Sequence, residues 1–196
     1  MDPVNWSDKY EQVYAADRQT WRNWLEKHHD NHAGIALVYY KGKSGKASVT
    51  YDEAVEEALC FGWIDSTVKT IDEERYMQLF TPRKRGSIWS KLNKGRIEKV
   101  IAEGRMTPAG EALIDAARAD GSWSILDDVD ALRLPDELAN ALDTTPGARE
   151  GYEALADSKK KQVIYHLVSA KRTETREKRT LQIIRWVTGQ EAWPTI

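Results

Sequence analysis

Two β-rich runs, Trp63 to Ile71 and Tyr76 to Pro82, are separated by only the four residues Asp72 to Arg75. So short a connection leaves no room for a crossover helix, so the runs pair antiparallel as a hairpin. Residues upstream supply what packs on it. From Asp17 to Asp30, Trp21, Trp24 and Leu25 recur at i, i+3 and i+4, the spacing of an amphipathic helix. Ile35 to Lys41 (IALVYYK), bounded by Gly34 and Gly42, reads as another strand. Thr50 opens the clearest helix in the chain. It caps, Glu53 completes a capping box, and Tyr51, Ala54, Val55, Ala58 and Leu59 share one face, with Asp52, Glu53, Glu56 and Glu57 on the other. Gly62 stops it. Met1 to Ala16, polar with scattered aromatics, reads as a segment draped over the fold.

After Pro82 the pattern turns helical. Ser87 or Ser90 caps a helix running to Glu103, with Leu92, Ile97, Val100 and Ile101 as its apolar side and Gly104 as its end. Thr107 and Pro108 open another, with Ala109, Ala112, Leu113, Ala116 and Ala117 on one face. Trp123 to Arg133, with Asp127, Asp128 and Asp130, reads as a linker. Pro135 then begins a helix burying Leu138 and Leu142, followed by a short helix at Tyr152 and one that Ser158 caps. A last helix, Thr173 to Thr188, has Leu181, Ile184 and Val187 as its apolar edge. The expected fold class is α+β, with a small antiparallel sheet and helices in the N-terminal part and a mostly helical C-terminal half.

Charge totals exclude little. The 196 residues hold 29 basic and 31 acidic side chains, so net charge gives no argument for nucleic acid or membrane. The distribution is uneven: Arg83 to Arg105 carries +6 and Lys159 to Arg185 carries +7, which leaves the remainder at −15 against a net −2. The lone Cys60 rules out an internal disulfide and gives no sign of an oxidising compartment. MDPVNWSDKYEQ lacks a signal-peptide pattern and no apolar run reaches spanning length, so a cytoplasmic location without a membrane span is expected.

The ordered motifs CFGWIDS (Cys60 to Ser66), TPRKRGSIWSKLNKGR (Thr81 to Arg96), GRMTPAG (Gly104 to Gly110), LPDELANAL (Leu134 to Leu142) and AKRTETREKRT (Ala170 to Thr180) together resemble the YdeI/OmpD-associated, or bacteriocin-protection, proteins. The resemblance runs from Trp21 onward, with Leu134 to Gly189 corresponding to that family's helical OmpD-associated module. It gives a division into residues 1–124, a linker 125–133, and a module 134–196. Gly95 and Thr180 depart from it, where a better helix former and an Ile are expected. The resemblance implies a link to protection against bacteriocins or antimicrobial peptides, and it implies no reaction, cofactor or catalytic residue.

The candidate ligand-binding residues follow from charge density at helix starts, where cations, free N–H groups and the macrodipole favour anions. On the loop and the helix it feeds these are Arg83, Lys84, Arg85, Ser87, Trp89, Lys91, Asn93 and Lys94. On the last helix they are Arg172, Arg176 and Arg179, which share a face. Internal pairing with the acidic remainder is the competing reading. The partner expected is an anionic small molecule or an acidic protein surface. Nucleic acid is the alternative, with Trp89 stacking on a base. An enzyme using Asp65 or Cys60 beside the loop is the third reading, but no sequence-local partner accompanies either residue. His28 and His32 stand one helical turn apart without a further ligand, so no metal and no cofactor are expected.

Overall fold

The computed structural model describes residues 9–193, so Met1 to Asp8 of the expected N-terminal drape lie outside the described residues. The chain forms two compact units, Met1–Ser122 and Trp123–Ile196.

The first unit is built on a four-stranded sheet of order β1-β2-β4-β3, with β1 Gln12–Tyr14, β2 Ile35–Tyr40, β3 Trp63–Thr70 and β4 Arg75–Pro82. The β3–β4 hairpin and the β2–β4 pair are antiparallel, as the short connection requires. The sheet is nevertheless mixed, because β1 joins β2 in parallel. Between them runs helix α1, Arg18–His28, which returns the chain to the same end of the sheet before β2 begins. A three-residue edge strand in a polar segment leaves no alternation to read.

Helix α1 starts where Asp17 accepts the Thr20 N–H at 2.7 Å. It buries Trp21 and Leu25 against the sheet, with the Trp21 ring edge-on to Phe80 at 5.5 Å. Helix α2, Tyr51–Cys60, carries both halves of the Thr50–Glu53 capping box. Trp21 Nε1 donates to Ala54 O at 3.0 Å and Trp63 Nε1 to His29 O at 2.9 Å, so each buried indole has its N–H satisfied.

The acidic face of α2 is itself covered. Glu56 and Glu57 are 4% and 0% exposed. Arg18 and Arg22 reach them from α1, Lys99 reaches Glu56 from helix α3 (Lys91–Ala102), and Arg105 bonds both from the turn after it. A helical wheel places these carboxylates opposite the apolar stripe, and cations from three elements cover that side as well.

Helix α4, Pro108–Ala119, follows, with Pro108 in its first turn. It crosses α2 at Gly110, where a Cβ would collide with the Cys60 carbonyl and the Met106 sulfur. Of the expected apolar side of α3, Ile97 and Val100 are buried, whereas Leu92 and Ile101 are exposed. Lys94 and Arg96 occupy buried positions instead.

The second unit is helical throughout: α5 Ile125–Asp130, α6 Asp136–Thr144, α7 Ala148–Glu153, α8 Asp157–Val168 and α9 Thr173–Val187. Residues Ile125–Asp130, within the expected linker, form a helix. Leu138, Leu142, Tyr152, Val163, Leu167, Ile183 and Ile184 make its core. Leu181 is exposed and Ile183 takes the place expected for it. Helix α8 starts one residue before Ser158, after Ala156. Among the described residues no helix is long and apolar enough to cross a membrane.

Gly95 sits in mid-helix with open space where a Cβ would go. Gly95→Ala is therefore expected to stabilise the fold by about 0.5–1 kcal/mol, and Gly110→Ala to destabilise it by about 1–3 kcal/mol through overpacking, both read from urea unfolding midpoints. The Glu56 cluster sets an acid limit. Desolvation raises the Glu56 pKa, but hydrogen bonds from Lys99, Arg105 and Arg18 outweigh it and hold the carboxyl at about 2. A carboxyl lowered from 4.5 stabilises the fold above that value and loses the contribution as pH falls from 4.5 toward 2. The loss amounts to at most about 3 kcal/mol, because water reaches Lys99 and screens that pair. Glu56→Gln is expected to flatten stability against pH across that window, measured by denaturation at each pH.

Candidate anion-binding site

The loop from β4 to α3 begins as a continuation of the hairpin, since the Arg83 N–H donates to Gly62 O at 2.9 Å. Extended backbone alternates its side chains, so Pro82 faces solvent and Arg83 turns inward to 8% exposure. The Arg83 guanidinium carbon lies 3.7 Å above the Trp89 ring centre, and Nη2 donates to Ile88 O at 2.5 Å. Such a partly desolvated cation–π contact contributes roughly 1–2 kcal/mol. Burial pushes the Arg83 pKa down to about 10, with the Asp65 charge acting the other way, so the side chain stays cationic at neutral pH. Its Nε is buried and, among the described residues, has no hydrogen-bond partner.

Above this anchor the loop turns tightly. Gly86 adopts φ 67°, the left-handed region that glycine enters without strain. The Ser87 N–H and hydroxyl both donate to Lys84 O, at 3.2 and 2.6 Å. Lys84 and Arg85 are left exposed at the tip. Ser90 caps α3 by accepting the Asn93 N–H at 3.3 Å, and the first turn of α3 holds Lys91 and no acidic residue. Asn93 accepts from Arg96, whose other end pairs with Asp52. Lys94 is buried.

The eleven residues expected to bind a ligand therefore divide by role. Arg83 and Trp89 are internal, and Trp89, at 2% exposure, presents no ring face to a base. Ser87 and Asn93 are occupied in the turn and the Arg96 network. Lys84, Arg85 and Lys91 remain at the surface, with no ion pair among the described residues. In the second unit, Arg176 is paired with Glu137 on α6. Arg179 donates to His166 O and to Ser169 Oγ, closing the C-terminal end of α8. Arg172 is exposed just before α9. An open groove of about 590 Å³ lies beside Arg176, lined also by Glu137, Thr173, Glu177, Thr180 and Leu181.

Asp65 sits half-buried where β3 slips register, and its Oδ2 accepts from Gln78 Nε2 at 2.6 Å and Tyr51 OH at 3.1 Å. Cys60 is fully buried, and burial followed by the Glu57 charge pushes its thiol up to about 11, far from a thiolate at neutral pH. His28 and His32 pack edge-on at 5.1 Å, both against Trp24.

One feature beneath the loop has no sequence signal. A cavity of about 10 Å³ is lined by Arg83, Gly86, Trp89, Leu113, Ala117 and Ser122, among others, and Ser122, remote in sequence from the loop, is 3% exposed. Only the approach of α4's C-terminal end to the loop brings it there.

Comparison with known families divides the chain in the same direction as its sequence motifs. The family described as "Domain of unknown function (DUF8412)" matches residues 13–113, just over half of the chain. The family described as "Bacteriocin-protection, YdeI or OmpD-Associated" matches residues 131–188. The second match contains LPDELANAL and AKRTETREKRT, whereas CFGWIDS, TPRKRGSIWSKLNKGR and GRMTPAG fall in the first, so the YdeI/OmpD-associated likeness is narrower than the motifs suggest. No curated protein and no solved structure matches the chain.

Internal and surface cations should separate on mutation. Arg83→Ala is expected to cost about 2–4 kcal/mol by removing a buried, stacked side chain. Lys84→Ala should change stability by no more than about 0.5 kcal/mol, with thermal unfolding of the two variants as the check.

Proposed function

Since the chain belongs to the family described as Domain of unknown function (DUF8412) and carries a YdeI/OmpD-associated module, we propose that it is a non-catalytic, cytoplasmic protein that recognises an anionic partner through Lys84, Arg85 and Lys91. The protective role is the one for which the module's family is named, against bacteriocins. The observation that carries this reading is the contrast within one basic stretch. Arg83, Arg96, Lys99 and Arg105 are tied into the fold, while the three exposed cations have no ion pair among the described residues. Arg83 fixes the loop from below, so little backbone ordering opposes binding.

Two features favour binding over the alternatives. A nucleic-acid reading relied on Trp89 as a stacking platform, and that ring is internal. Catalysis by Cys60 would need a thiolate that burial suppresses, and the described contacts of Asp65 are a phenol and an amide rather than a second titrating carboxyl.

The test is direct. Tripolyphosphate, titrated calorimetrically into the full chain, is expected to bind with an affinity that falls as salt rises. The Lys84→Glu/Arg85→Glu pair should lower that affinity by tenfold or more while the unfolding midpoint stays put. Cells carrying the pair should lose any protection the unmodified protein confers. Unchanged binding and unchanged protection in the reversed-charge variant would remove the reading.

A further inference from the structure

Arg83 Nε and Ser122 Oγ are both buried polar atoms without a hydrogen-bond partner, and both residues line the small cavity under the loop. Buried polar groups are ordinarily paired, and each one left unpaired costs on the order of 1–3 kcal/mol. Two residues that line one cavity and each hold such an atom describe a site with room for a partner from outside the chain.

The chemistry of that partner follows from the donors. The Nε–H of a guanidinium only donates. The Ser122 hydroxyl also donates when an acceptor is present, so the pair calls for an atom that accepts twice and brings no hydrogen of its own. A cavity of about 10 Å³ has room for about one such atom. Lys84 and Arg85, on the loop that walls the cavity, add positive charge at its mouth.

We propose that this cavity takes one oxygen of an oxyanion, a phosphate, sulfate or carboxylate group, held between Arg83 Nε–H and Ser122 Oγ–H while the rest of the group lies toward Lys84 and Arg85. This rests on the anion-binding reading of the loop and gives it a floor. Beside Ser122 lies the Asp120 carboxylate, which accepts the Ser122 N–H at 2.9 Å. The Ser122 hydroxyl dipole and the N–H groups of Ser122 and Gly86, with the charge of Arg85, hold Asp120 below its usual pKa. The hydroxyl leans toward that carboxylate without reaching full hydrogen-bond geometry. Asp120 keeps its backbone donor, and an incoming oxygen competes with that carboxylate for the hydroxyl alone.

The Arg83 side-chain Nε–Hε resonance reports on the cavity directly. Inorganic phosphate, sulfate and acetate are titrated at constant ionic strength into the full chain, and into Ser122→Ala and Ser122→Cys variants whose amide spectra confirm the fold. The expected result is a saturable shift of the Arg83 resonance with at least one of these anions. Affinity should fall about tenfold in Ser122→Ala, the usual effect of deleting one hydrogen bond to a charged group, and by an intermediate amount in Ser122→Cys, a weaker donor. If the anion binds Ser122→Ala as tightly as the unmodified protein, it sits on the exposed cations alone: the floor is overturned and the loop reading stands. If the Arg83 resonance moves with none of the three anions, the cavity holds water only and the proposal is overturned. The loop reading is then judged separately by tripolyphosphate and the reversed-charge pair.

Discussion

Two adjacent carboxylates, Glu56 and Glu57, hold the first unit together from inside. Burying one charge without a partner costs several kcal/mol, and burying two side by side is tolerated only if cations accompany them. Here Arg18, Arg22, Lys99 and Arg105 do so. The consequence is positional. Because α1, α2, α3 and the turn before α4 all meet at this pair, the basic segment after β4 cannot drift from the sheet. Net attraction from such pairs is modest against a well-packed apolar alternative, and their geometric demand supplies the specificity. The loop that begins at Arg83 inherits its placement from that demand.

Much of the first unit was legible because its signals are local. A four-residue connection forces an antiparallel hairpin, and a Thr-x-x-Glu box fixes a helix start to the residue. The signals that misled share one property: they are local rules applied where tertiary partners decide. Glu56 and Glu57 satisfy the wheel for a solvent face, yet distant arginines cover that face. Leu181 and Ile183 sit two residues apart near the end of the chain, and only the docking of α9 on its neighbours selects Ile183 for the core. The edge strand β1 follows from the path of α1 rather than from its own three residues.

The candidate site shows the same limit more sharply. Charge density marked a stretch in which Lys84, Arg85 and Lys91 lie exposed. It could not tell which cations remain at the surface, because counting treats Arg83 and Lys84 alike. Extended backbone at Pro82–Arg83 sends one side chain out and the next in, and the turn at Gly86 then lifts Lys84 and Arg85 away from the core. Ser122 carried no signal at all, being a small polar residue after a helix end, remote in sequence from the loop it meets.

The inward arginine therefore has a structural use that a lysine would not fill. A planar guanidinium stacks over Trp89 by its face and still presents donors around its edge. One edge nitrogen, Nη2, is spent on Ile88 O, which pins the loop's own backbone. The Nε remains unpaired among the described residues, on a residue that lines the cavity, so the group that anchors the loop keeps one donor to spare. A lysine at this position would bring the charge without the flat stack or the separately directed donors, and either the loop or the cavity would lose its partner. On the proposed reading, anchoring and recognition are coupled through one side chain, and an oxyanion seated under the loop would also tighten the loop that presents Lys84 and Arg85.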